Sequence, residues 1–244
     1  MNTISFSPFR QFRPAHKVTH VHTTSTYTPY SSICHSCKPH DDDPVTSNNF
    51  FKIVIVLDES GSMENIRDKM RNSINDLITE QKQVKARPAT FTLVKFNSSV
   101  NRVIKNKPLD QINNLSSEDY TPNGSTALYD AIGDTINWFR NERDVLMVIV
   151  TDGQENASRT YDKRSVNSMI DEKKRHNNWS YVYLSCDLNT FDQGNGIGLK
   201  ESAFVSNCVV NQERYGDFIS KNLNSAISNC RTKGITVQSQ LNRN

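Results

Sequence analysis

Phe51-Lys-Ile-Val-Ile-Val-Leu57 runs without a break into Asp58-Glu-Ser60-Gly-Ser62, so an apolar segment leads directly into a turn bearing the Asp58 carboxylate and the Ser60 and Ser62 hydroxyls. The polar alternation of a half-exposed strand is missing from residues 53–57. Both faces of such a strand must be covered, as in the parallel sheet of an α/β fold. Ligands of open α/β sheets bind beyond the carboxyl ends of the strands, and the Asp58–Ser62 turn lies there. Its oxygen groups suit a hard cation.

The segments that follow alternate between strand-like and helix-like patterns, which argues for βαβ units. Ile66, Met70, Ile74, Leu77 and Ile78 recur at helical spacing and predict a helix over 64–84, ended by Pro88. Ala89 to Phe96 reads as a strand. Val100 to Ile104 returns as an antiparallel edge, where Lys105 and Lys107 discourage further pairing. Beyond the polar loop Thr121-Pro-Asn-Gly-Ser-Thr126, the spacing of Leu128, Ile132, Ile136 and Phe139 predicts a helix over 127–141. Val145 to Val150 is a further buried strand, ending in Asp152. Helices near 162–176, 188–193 and 213–230 and strands at 179–186 and 203–210 complete the pattern. The expected architecture is α/β, a Rossmann-like doubly wound, mostly parallel sheet of about six strands with one antiparallel edge strand and helices on both faces.

In a parallel sheet every strand delivers its carboxyl end to one rim, so Asp58, Ser60, Ser62, Thr126 and Asp152 can meet although they are far apart in sequence. Two carboxylates and three hydroxyls make an oxygen-only donor set for Mg²⁺, Mn²⁺ or Ca²⁺, and exclude a thiolate-preferring metal. Taken singly, each residue has a plainer reading. Ser60, Ser62 and Thr126 could cap helices, Asp58 could shape a turn, and Asp152-Gly153 could be an ordinary turn. Taken jointly, in the right strand-end loops, they favour the metal site.

The set resembles the metal-ion-dependent adhesion site of von Willebrand factor A domains, over residues 51–231. The family's Asp-x-Ser-x-Ser appears as Asp58-Glu-Ser60-Gly-Ser62, its threonine as Thr126 within Gly124-Ser-Thr-Ala-Leu-Tyr-Asp130, and its distal aspartate as Asp152 in Val150-Thr-Asp-Gly153. Val148-Ile-Val-Thr-Asp-Gly-Gln-Glu-Asn-Ala-Ser158 is similar to the stand-alone intracellular members found in bacteria. The resemblance implies direct coordination by Ser60, Ser62 and usually Thr126, with Asp58 and Asp152 reaching the ion through water. It also implies a protein partner that docks an Asp or Glu on the metal, and with no general base or nucleophile pair beside the five residues the expectation is an interaction module without catalysis. Hydroxyl ligands are neutral, so an ion held by them keeps most of its charge for that carboxylate, and Mg²⁺ retains exchangeable waters.

Nearby acids are expected to matter less. Glu59 reads as acidic surface or as facing water, Glu155 as a solvated residue, and Asp130 as a hydrogen-bond acceptor for a neighbouring loop. A Mg²⁺-dependent phosphotransfer enzyme using Asp58 is the main alternative. Such sites want a second carboxylate two residues on, where this chain has Ser60. No phosphate loop of the Gly-x-x-x-x-Gly-Lys type and no Gly-x-Ser-x-Gly elbow is present. Gly194-Asn-Gly196-Ile-Gly198 has the wrong spacing for a dinucleotide loop and reads as a turn.

The 244-residue chain suggests one domain, at 50–231, with a tail at 1–49 and a polar end at 232–244. The tail has no acid before Asp41 and holds five histidines among many Ser, Thr and Pro. Its Arg10, Arg13 and Lys17 give it the composition of an organellar transit peptide, but a disordered extension is the simpler reading. Cys34 and Cys37, with His20, His22, His35 and His40, form a candidate Zn²⁺ knuckle around 34–40, weighed against an unstructured segment. Nucleic-acid binding through the basic tail is a further alternative, although the net charge of +3 carries no such footprint by itself. No apolar stretch reaches the length of a membrane span and no secretory signal opens the sequence. The odd count of five cysteines, with Cys186, Cys208 and Cys230 in strand and helix patterns, suggests a reducing, intracellular and cytoplasmic setting. Asn97, Asn114, Asn123, Asn156 and Asn178 begin Asn-x-Ser triplets, which need secretion to be glycan sites.

Overall fold

A computed structural model describes residues 50–185, 193–199 and 222–233. Five strands form one sheet in the order β3-β2-β1-β4-β5. They are β1 (Phe51–Asp58), β2 (Ala89–Phe96), β3 (Val100–Pro108), β4 (Val145–Thr151) and β5 (Ser180–Ser185). β1 pairs in parallel with β2 and with β4, β4 pairs in parallel with β5, and β3 returns antiparallel to β2 at the edge. The helices are α1 (Arg67–Gln83), α2 (Leu128–Trp138), α3 (Lys163–Asn177) and α4 (Asn224–Lys233).

Every residue of β1 is buried, and its side chains divide between two cores. Ile53, Ile55 and Leu57 pack with Met70, Ile74, Leu77 and Ile78 of α1 and with Ile227 and Cys230 of α4. Val54 and Val56 pack with Leu128, Ile132 and Ile136 of α2 and with Val166 and Ile170 of α3. The unbroken apolar run therefore has its physical cause in a sheet covered by helices on both faces. β3 alternates instead between half-buried and exposed residues, with Lys105 and Lys107 exposed, as the sequence of an edge predicts.

The helix expected from residue 64 is preceded by a 3₁₀ segment, Gly61–Ile66, and becomes α-helical only at Arg67. Ser60 and Ser62 thus sit where the chain is still tightening after the strand. The expected strand at 203–210 lies outside the described residues, as do Cys186, Cys208 and most of the short helix expected at 188–193. Residues 193–196 are helical, and Gly198 follows with a φ of +82°, so the glycine-rich segment does end in a turn. Among the described residues no helix is long and apolar enough to cross a membrane.

Because β1 leads to β2 on one side while β4 lies on its other side, the chain reverses its winding between β1 and β4. Loops leaving these two strands part to opposite faces and open a crevice at their carboxyl ends.

Candidate functional site

At the end of β1, Asp58 is fully buried. Its Oδ1 accepts a hydrogen bond from the Ser60 backbone N–H at 2.7 Å, and its Oδ2 accepts from Thr151 Oγ1 at 2.6 Å. Burial pushes the Asp58 carboxyl up, the bonds from Thr151 and Ser60 pull it down, and the like charge of Asp152 pushes it up again, for a net rise. Ser60 Oγ lies 3.1 Å from Ser62 Oγ, and Ser62 Oγ donates to Asp152 Oδ1 at 2.6 Å. Ser60 stands at the N-cap position of the 3₁₀ segment, yet its hydroxyl makes no capping bond. The N-cap of α2 is Ala127, so Thr126 is not a helix cap either.

Gly153 shows how closely these groups converge. A Cβ at that position would stand 2.6 Å from Thr126 Oγ1, 3.3 Å from Asp58 Oδ2 and 3.4 Å from Ser60 Oγ. One small backbone spot therefore touches three of the five expected oxygen donors, and the Ser60–Ser62–Asp152 chain of contacts brings in the other two.

The Thr126 loop is held from both sides. Gly124, at a φ of +76°, accepts a bond from Gly61 N–H, while Glu59 O accepts from Asn123 N–H. Tyr120 is buried and its hydroxyl donates to Asp58 O at 2.6 Å. On the β4 side, Thr126 N–H donates to Asn156 Oδ1 and Thr126 O accepts from the N–H groups of Asn156 and Ala157.

A sequence profile of the von Willebrand factor type A domain matches residues 52–202, more than half of the chain. The chain belongs to that family. Its members commonly mediate metal-dependent protein–protein interactions. Comparison with curated proteins finds no match. Among solved structures, the chain is similar to proximal thread matrix protein 1 from the mussel byssus, at 18% identity and a TM-score of 0.50, over 72% of this chain and 45% of that one. It is similar to the pilus adhesin SpaC of Lactobacillus rhamnosus GG at 12% identity and a TM-score of 0.56, over 75% and 30% of the two chains. The PilB minor pilin of Streptococcus sanguinis gives 14%, 0.53, 78% and 64%. At such identities the likeness is one of fold, and the chain spans less than half the length of the mussel protein.

Within this von Willebrand factor A fold the donor chemistry fits a hard divalent ion. Asp58 is a buried carboxylate that accepts hydrogen bonds from the neutral Ser60 N–H and Thr151 hydroxyl, and the cup around Gly153 is lined by oxygen atoms. Among the described residues no group of three or more His, Cys, Asp or Glu is arranged for a metal, so the hydroxyls are needed to complete the set. The candidate zinc residues Cys34, Cys37, His20, His22, His35 and His40 lie outside the described residues.

Two acids have roles unlike those their sequence context suggests. Glu59 is buried and pairs with Lys95 at 2.8 Å, so it neither faces water nor forms acidic surface. Glu155 accepts bonds from the N–H groups of Tyr129, Ala157 and Ser158 and from Ser158 Oγ, joining the first turn of α2 to the β4 loop. Asp130 accepts from the N–H groups of Arg159, Thr160 and Tyr161, the loop-binding role expected of it. Thr151, Gly153, Tyr120 and Asn156 shape the site without having been singled out in the sequence. Only Gly153 and Thr151 had a signal, as immediate neighbours of Asp152.

Proposed function

We propose that this von Willebrand factor A domain is a metal-dependent protein-interaction module whose rim holds a divalent cation, Mg²⁺ with Mn²⁺ or Ca²⁺ as substitutes, through a complete adhesion site. The convergence of Thr126 Oγ1, Asp58 Oδ2 and Ser60 Oγ around Gly153 carries this reading. Ser60, Ser62 and Thr126 would hold the ion directly, and Asp58 and Asp152 would balance its charge. When bound, the ion would supply an electrophilic coordination place for the Asp or Glu of a protein partner. The chain's own contribution is to hold the Thr126 and Ser60 hydroxyls at one spot, with Ser62 beside Ser60, through the Tyr120, Asn156 and Gly124 contacts, with no catalytic step.

The same geometry weighs against phosphotransfer by Asp58. A nucleophile needs an open approach, whereas Asp58 is fully buried. An intracellular, cytoplasmic setting belongs to the proposal and fits the free Cys230 thiol, which is buried and pushed by that burial up to about 12.

Isothermal calorimetry with MgCl₂ tests the reading. The unaltered chain is expected to bind one equivalent of Mg²⁺, and Asp58→Ala and Asp152→Ala to bind none while keeping the far-ultraviolet circular dichroism of the fold. Retained affinity in both variants would refute the assignment. Thr126→Ala should lose affinity for the loaded site's carboxylate partner far more than it loses stability, and equal partner affinity would remove Thr126 from the set.

A further inference from the structure

Glu59 lies between two proposed donors, Asp58 and Ser60, yet its side chain turns inward. Glu59 Oε1 accepts from Lys95 Nζ at 2.8 Å and from the Thr121 N–H at 2.8 Å. Its backbone is fixed as well, since Glu59 N–H donates to Phe96 O and Glu59 O accepts from Asn123 N–H. Lys95, near the end of β2, also donates to Asp119 O at 2.8 Å. The side chains of Lys95 and Glu59 are only 15% and 10% exposed, so solvent screens the pair weakly.

These contacts tie the β1 turn to β2 and to the loop that carries Thr126. Neutral donors could make the same ties, as Thr121 N–H does. What the lysine adds is charge. Without it, Asp58, Glu59 and Asp152 would place three negative charges on neighbouring loops, against a cation of two positive charges. Excess anionic charge tightens the hold on the metal and repels any acid that approaches it.

Building on the metal-binding reading above, we propose that Lys95 is a positioning residue that sets the charge of the site. By pairing with Glu59 it leaves only Asp58 and Asp152 to balance the cation. The ion is held less tightly than three carboxylates would hold it, and it stays attractive to an anionic side chain of a partner. Lys95 thus exchanges metal affinity for partner affinity, and the buried pair keeps the Thr126 loop in register meanwhile.

Titration of MgCl₂ into the full chain at fixed ionic strength and pH 8 separates this role from plain loop support. Lys95→Met is expected to bind Mg²⁺ about 5- to 20-fold more tightly, because one positive charge is removed from a weakly screened site. Glu59→Gln keeps the acceptor oxygen for Thr121 and Lys95 but leaves the lysine uncompensated, and is expected to bind more weakly by a similar factor. The double variant should return to within about twofold of the unaltered chain, since the two charge changes cancel. Unchanged or weaker binding by Lys95→Met, or equal losses in all three variants, would overturn the proposal and leave Lys95 as loop support alone. Should Lys95→Met not fold, Glu59→Gln decides by itself, and an unchanged affinity there overturns it. Failure of the unaltered chain to bind Mg²⁺ would instead remove the metal-binding reading, a result distinct from any of these.

Discussion

The two ends of the sheet treat their aspartates in opposite ways. At the foot, where β1 and β4 begin, acids meet cations: Lys52 pairs with Glu142 at 3.1 Å and Arg87 with Asp144 at 2.8 Å. Burial acts to raise the Asp144 carboxyl, but bonds from Asn178 and Arg87 and the nearby charges of Arg87 and Lys52 outweigh it and hold the group below its ordinary value. At the rim, Asp58 has the neutral Ser60 N–H and Thr151 hydroxyl for donors and Asp152 for a charged neighbour, and its carboxyl is pushed up. The foot is electrostatically complete within the chain. The rim leaves Asp58 with neutral donors and a like charge, which is the arrangement that the proposed cation would complete.

The contrast is broken most severely at Gly153. Gly153→Ala would put a methyl 2.6 Å from Thr126 Oγ1, too close for any real contact. Mg²⁺ binding by calorimetry is expected to disappear, at a stability cost of about 1–3 kcal/mol from overpacking. Normal Mg²⁺ affinity in this variant would mean that the cup is not the site.

Paired isosteric changes sharpen the comparison. Asp58→Asn should abolish the rise in melting temperature caused by Mg²⁺, yet melt no lower than the metal-free parent, because it removes a buried charge served by neutral donors. Asp144→Asn should leave Mg²⁺ binding alone and lower stability by about 1 kcal/mol, the value of a partly exposed pair. Thermal melts with and without Mg²⁺ check both, and the same sign for the two variants in metal-free buffer would erase the distinction between rim and foot.

The pH dependence at the foot follows from its direction of shift. The folded value of Asp144 is depressed, so its contribution is complete above the unfolded value near 3.8 and is lost as pH falls through the lower folded value. The parent minus Asp144→Asn stability difference should therefore be flat at neutral pH and shrink below about pH 4. A smaller effect is expected at Tyr120. Tyr120→Phe removes the bond to Asp58 O and should cost about 1 kcal/mol of stability, with a few-fold loss of Mg²⁺ affinity.

The sheet was legible because β1 and β4 are apolar runs and β2 is rich in β-branched and aromatic residues. Residues 51–57, 89–96 and 145–150 needed only the observation that both faces are covered, and the lysines of β3 marked an edge. Asp58, Ser60, Ser62, Thr126 and Asp152 were legible as a motif in strand-end loops. Glu59 and Glu155 were not, because their roles depend on partners brought near by the fold. Glu59 meets Lys95, 36 positions on, and Glu155 meets the Tyr129 N–H, 26 positions back. Local spacing says nothing about which way such a side chain turns. Tyr120 was hidden for the same reason, since an aromatic residue in a polar loop gives no sign that it will plug the space beneath Asp58, 62 positions away. The 3₁₀ start of the first helical segment escaped because Ile66 fits both a 3₁₀ and an α-helical spacing.

Anomalous diffraction from crystals grown with Mn²⁺ tests the central claim most directly. The account predicts one strong peak among Ser60 Oγ, Ser62 Oγ and Thr126 Oγ1, beside Gly153 and lost in Asp58→Ala. A map with no peak at that rim at saturating Mn²⁺, or one unchanged by the substitution, would contradict it.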